Sequence, residues 1–154
     1  MGRLISAVKS FLDHEQWRYD VKDDHTLLTG FNGKNGQFRG SVSADKQDRL
    51  VLFYFVCPYN IPESKHMEMA DFLCRANYGM IINNFEIDLR DGEVRIKAVL
   101  VCVDGKPDME TLRTILRVTV TVMDRYFVGI NGIVYGGMSA VKAIELCEGE
   151  AVTH

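Results

Sequence analysis

The stretch that decides the fold reads Asn83-Asn-Phe-Glu-Ile-Asp-Leu-Arg-Asp-Gly-Glu-Val-Arg-Ile-Lys-Ala98. Asp91-Gly92 in its middle predicts a two-residue hairpin turn, because both residues tolerate the positive φ that such turns need. Counting outward from that turn gives apolar pairs on one face of the hairpin and oppositely charged pairs on the other. The predicted pairs are Phe85–Ala98, Ile87–Ile96 and Leu89–Val94 on the apolar face, and Glu86–Lys97, Asp88–Arg95 and Arg90–Glu93 on the charged face. The stretch therefore indicates an antiparallel sheet with one buried face.

Hydrophobic periodicity divides the rest of the chain into helices and strands. Apolar residues three or four positions apart predict a helix, and strict alternation predicts a strand. Leu4, Val8 and Phe11, for example, lie on one face of a helix near the N-terminus. The predicted helices cover residues 3–15, 62–78, 108–128 and 140–148, and the predicted strands cover residues 17–22, 26–31, 37–43, 50–57, 83–90 and 93–103.

The strand Leu50–Cys57 is apolar at every position. This pattern is typical of a central strand that is covered on both faces. The aromatic run inside it could instead form the wall of a ligand site or a surface for a partner protein. Core packing is the favoured interpretation, because eight consecutive apolar positions more often lie in a core.

The segment from Asp108 to Gly137 contains conflicting signals. Val118–Val122 alternates like a strand and is β-branched throughout, which lowers helix propensity. A helix is nevertheless predicted, because the helical spacing holds on both sides of this run and Asp108 is a good N-cap. Gly129–Gly137 holds four glycines and is predicted to be a bend or loop, after which Ser139 caps a last helix.

Together these elements predict an α+β fold, a single-layer antiparallel β-sheet with packed helices in the order α-β-β-β-β-α-β-β-α-α. The chain has 154 residues, which is the size of one domain. We expect a single domain over residues 1–148 and a flexible C-terminal tail over residues 149–154.

Composition excludes several classes of function. A formal net charge of −3 gives no basic footprint for nucleic acid, and the longest apolar run is too short to cross a membrane. The N-terminus lacks the apolar core of a secretion signal, so we expect a cytoplasmic protein. The widely spaced cysteines are expected to be buried free thiols in a reducing compartment; they are Cys57, Cys74, Cys102 and Cys147.

No group of residues has the spacing of a catalytic, cofactor or metal site. The carboxylates Glu86, Asp88, Asp91 and Glu93 cluster in sequence, but the hairpin register provides basic partners for three of them. The histidines share no metal-ligand spacing with one another or with cysteine; they are His14, His25, His66 and His154. We therefore expect no enzyme activity, no cofactor and no metal, and the partner-binding residues stay unknown.

Two further motifs invite a functional interpretation. The glycine-rich loop Asn32–Gly36 could cradle a phosphate, but a strand rather than a helix follows it, which disfavours that role. Asp124-Arg125-Tyr126 could hold an anion. Adjacent residues on a helix point in different directions, so we expect Tyr126 in the core and both charged residues on the surface.

Two runs, Phe72-Leu-Cys-Arg-Ala-Asn-Tyr-Gly79 and Asn84–Arg95, resemble the YbjN-domain family, particularly its cyanobacterial members. The resemblance extends to Asp124-Arg125-Tyr126, to Phe11-Leu12 with Trp17, and to Phe31 with Asn35-Gly36. It implies a fold like that of the type III secretion chaperones, without enzyme activity, and a homodimer in many members. Among cyanobacterial relatives of similar architecture is a carboxysome assembly chaperone, so the resemblance also implies a carboxysome shell protein segment as a partner.

Two hypotheses of function follow. The first is a chaperone or adaptor that captures an extended segment of another protein on a sheet edge or in an apolar groove. The second is a ligand-sensing regulatory module, of the sensory-transduction type that the family label suggests. It would hold a small molecule between sheet and helices near Tyr54, Tyr78 and Tyr126.

Overall fold

A computed structural model describes residues 1–149 of the chain, and its elements follow the predicted order. The predicted tail therefore lies outside the described residues, apart from Gly149. The helices are α1 (Arg3–His14), α2 (His66–Asn77), α3 (Met109–Gly136) and α4 (Ala140–Glu148), with one 3₁₀ turn at Glu63–Lys65. The strands are β1 (Tyr19–Asp23), β2 (Thr26–Asn32), β3 (Gln37–Ala44), β4 (Leu50–Val56), β5 (Asn83–Asp88) and β6 (Glu93–Val101).

The six strands form one antiparallel sheet in the order β1-β2-β3-β4-β6-β5. The four N-terminal strands are joined in sequence, whereas α2 and β5 intervene before β6 pairs with β4. β6 is longer than β5, and its second half continues along β4 until Val101 lies opposite Leu50. The end of the hairpin therefore pairs with an earlier strand.

The hairpin differs from the prediction in its turn. Its loop has four residues, Leu89–Gly92, so that Asp88 lies opposite Glu93 and the register is two positions from the predicted one. The cause is local: the carbonyl oxygen of Asp88 accepts the N–H of Gly92 at 2.7 Å and its carboxylate accepts the N–H of Arg90 at 2.9 Å. Because side chains alternate with period two, the shift changes the partners but keeps each side chain of β5 and β6 on its predicted face. Leu89, which was predicted on the apolar face, lies in the turn and is 54% exposed.

Within residues 1–149, helices cover only one face of the sheet. α1 packs against β2, β3 and β4, α2 against β5, and α3 against β4 and β6, while α4 lies on α2 and α3. The strand residues buried beneath them are Leu27, Phe38, Val42, Val51, Phe53, Phe55, Phe85, Val94, Ile96 and Ala98. The prediction that β4 is covered on both faces is therefore wrong, since only every second residue of β4 is buried.

α3 continues through most of the segment that was predicted to be a bend. It begins at the predicted cap, where the Asp108 carboxylate accepts the N–H of Thr111 at 3.0 Å, and it ends at Gly137, whose φ is 63°. The glycines inside it make room for neighbouring helices rather than a turn: a Cβ at Gly129 would lie 2.5 Å from the Phe72 ring. Gly129 therefore sets the distance between α3 and α2.

Two glycine substitutions in α3 separate packing from helix propensity. We expect Gly129→Ala to lower the free energy of unfolding by about 1–3 kcal/mol, because the added methyl group overpacks the contact with Phe72. Gly136→Ala is the control, since the nearest atom to its Cβ would be 4.0 Å away. It should be neutral or stabilising by up to about 1 kcal/mol. Urea denaturation measures both, and a Gly129→Ala variant as stable as Gly136→Ala would contradict the packing role.

Candidate functional site

The side of the sheet that lies away from the helices is called the open face below. No helix or strand of residues 1–149 packs on it. Its central side chains are Leu28, Arg39, Ser41, Ser43, Leu50, Leu52, Tyr54, Val56, Arg95, Lys97, Val99 and Val101. Among them Leu28 is 42% exposed, Val99 40% and Val101 63%. Contiguous exposed apolar residues of this kind mark interaction surfaces.

One end of the open face is purely aliphatic. Leu50 lies opposite Val101, and Leu52 lies opposite Val99, so four branched side chains form a block across β4 and β6. Burying an aliphatic side chain completely contributes roughly 1.5–3 kcal/mol. Covering this partly exposed block would therefore contribute on the order of 1 kcal/mol for each side chain.

The other end of the open face is charged. Lys97 lies opposite Tyr54, and Val56 lies between Arg95 on β6 and Arg39 on β3. The Arg95 guanidinium stacks over the Tyr54 ring at 4.2 Å from its centroid. This cation–π contact holds the guanidinium against the face of the sheet while one side of it stays open to solvent.

The cations of β6 share this end of the open face with three carboxylates, Glu86, Asp88 and Glu93. Glu86 accepts hydrogen bonds from Arg95 Nε and Lys97 Nζ, each at 3.0 Å. Burial raises the pKa of the Glu86 carboxyl, but the hydrogen bonds from Lys97 and Arg95 outweigh it and hold the pKa below its usual range. Arg39 is exposed and forms no salt bridge within residues 1–149. This end of the face therefore holds basic and acidic side chains together.

Both edges of the sheet are protected against strand addition. On β5, the side chain of Asn77 accepts the N–H of Phe85 at 2.7 Å and donates to its carbonyl oxygen at 3.0 Å. The amide thus occupies both outward backbone groups that a partner strand would use at Phe85. On β1, the exposed charges of Asp20, Lys22 and Asp23 disfavour edge pairing. The open face is therefore a better candidate than either edge.

One of the three charge pairs predicted in the hairpin, Glu86–Lys97, is confirmed, whereas Asp88 does not pair with Arg95 as predicted. Glu86 contacts Arg95 as well as Lys97, and Asp88 binds Arg90 of the turn at 2.8 Å. The hydrogen bonds from Arg90 lower the pKa of the Asp88 carboxyl to about 2. Asp91 accepts the N–H of Glu93 at 2.9 Å. Three of these carboxylates are thus engaged in holding the hairpin.

Asp124 was predicted to lie on the surface, and this prediction is wrong. The carboxylate is 9% exposed and accepts the N–H groups of Lys34 at 3.1 Å and Asn35 at 2.8 Å. The glycine-rich loop thus uses its amides to bind a side chain from α3, about 90 residues away in sequence. Tyr126 lies in the core as predicted, and burial raises its pKa to about 12.

The proposed ligand site is not assembled. Tyr54 lies on the open face, Tyr126 is buried beneath the helices on the opposite face, and Tyr78 is 93% exposed in the loop after α2. The three tyrosines therefore do not line a common pocket.

The expectation that all four cysteines are buried is wrong. All four are free, but Cys74 is exposed and Cys147 is only partly buried. Burial raises the pKa of Cys57 to about 11, which keeps this thiol protonated.

Residues 1–149 contain neither a cluster of metal ligands nor a helix that could span a membrane. No three His, Cys, Asp or Glu side chains in this part of the chain come together as metal ligands would. None of its helices has both the length and the apolar character that crossing a membrane requires.

Comparisons with known proteins agree with this architecture. The YbjN family model, described as "Putative bacterial sensory transduction regulator", matches residues 5–131. No curated protein matches the sequence significantly. The crystal structure of "YbjN, a putative transcription regulator from E. coli" is similar with a TM-score of 0.61 and 14% identity, over 78% of this chain and 85% of that chain.

A chain of the HopA1–SchA chaperone–effector complex is also similar, with a TM-score of 0.50 and 18% identity, over 79% of this chain and 90% of that chain. At these identities the similarity concerns the fold. It confirms the predicted α+β, chaperone-like class.

The charge arrangement of the open face can be tested through Glu86. Because folding lowers the pKa of this carboxyl from about 4.5, its contribution to stability is present above that value and is lost as pH falls through the folded-state pKa. Glu86→Gln should therefore be less stable than wild type by about 0.5 kcal/mol at pH 7. The difference should disappear in acid, once the carboxyl is protonated in the folded protein as well. Urea denaturation at neutral and at acidic pH measures it, with the exposed Glu145→Gln as control, and a difference that persists in acid would contradict the ion pairs.

Proposed function

Because the chain belongs to the YbjN family, we propose that it is a protein-binding chaperone or adaptor that acts without catalysis. It captures a segment of a partner protein on the open face. The observation that carries this proposal is the aliphatic block of Leu50, Leu52, Val99 and Val101, which no described part of the chain covers. Such a block gains stability only when another molecule removes it from water.

The chaperone-like architecture supports the same function. The similar chain in the HopA1–SchA complex belongs to a chaperone–effector assembly, so this type of sheet-and-helix fold is compatible with partner binding. The sequence also suggested a sheet edge as the binding surface. Because both edges are protected, the open face is the better candidate. The occupant therefore covers the sheet rather than extending it.

The resemblance to cyanobacterial family members makes carboxysome shell proteins the first candidates for the partner. We propose that the protein acts in the cytoplasm, where its free cysteines would stay reduced. Self-association as a homodimer, which the resemblance also implies, is part of the proposal. In this scheme the dimer uses a surface other than the open face, since a second copy there would exclude the captured segment.

Site-specific photo-crosslinking tests the proposed function. A photoreactive amino acid in place of Leu52 should link to a segment of one partner in lysate from the source organism, whereas the same residue in place of Leu146 on α4 should not. A synthetic peptide of the linked segment should bind the purified protein, and Val101→Asp should weaken that binding at least about tenfold, since it buries a charge in the aliphatic contact.

The matched control is Leu146→Asp, which places the same charge on the helical side of the molecule. Sedimentation velocity of Val101→Asp should show the same mass as wild type if dimerisation uses another surface. Equal crosslinking at the two positions, or equal peptide binding by the two Asp variants, would contradict the proposal.

A further inference from the structure

We draw no further inference here: the strongest candidate, the exposed apolar patch of Tyr78, Ile81 and Ile82 in the loop that leads from α2 into β5, carries no proposal because nothing in the structure shows what covers it.

Discussion

Strand β4 carries apolar side chains on both faces, and the rest of the structure depends on the fact that helices cover only one of them. Val51, Phe53 and Phe55 anchor the core beneath α1 and α3, while Leu52 and Tyr54 face outward. The same strand thus provides the centre of the core and the centre of the open face. Burial of apolar side chains is favourable, so a molecule that binds to the open face and removes its apolar side chains from water would stabilise the complex.

Polar contacts between distant parts of the chain hold the covered side in place. The Asp124 carboxylate binds the loop between β2 and β3, and the Asn77 amide binds the edge of β5. Asp48 accepts the N–H of Arg3 at 2.7 Å, and Glu68 accepts the N–H of Ala140, so that each side chain caps a helix from another element. These contacts fix the helices and loops around the sheet, and a firmly held sheet presents its open face without reorganisation.

The sequence predicts the elements, their order and the face of each residue in the paired strands of the hairpin, because these depend on local periodicity. It does not predict which turn the hairpin forms, since the carbonyl and carboxylate of Asp88 favour a four-residue loop over the two-residue loop that Asp91-Gly92 indicates. Gly129 and Gly132 suggest a bend from sequence alone, yet packing against Phe72 and Met138 overrides the low helix propensity of glycine.

The open face could be predicted only in part from the sequence. In β6 the outward positions change from Glu93, Arg95 and Lys97 to Val99 and Val101, and this change is the signal of a face with a charged end and an aliphatic end. The apolar run Leu50–Val56 gives no such signal, because the sequence does not distinguish an apolar residue on an uncovered face from a core residue. The burial of Asp124 could not be predicted, since its partners lie about 90 residues away.

Hydroxyl-radical footprinting of the purified chain tests most directly whether the sheet is covered on one face only. Phe53, Tyr54 and Phe55 are consecutive aromatic residues of similar intrinsic reactivity, and only Tyr54 faces the open side. We expect Tyr54 to be oxidised several times faster than either phenylalanine at low protein concentration. Oxidation of all three at the same slow rate would show that both faces are covered, and it would contradict the account.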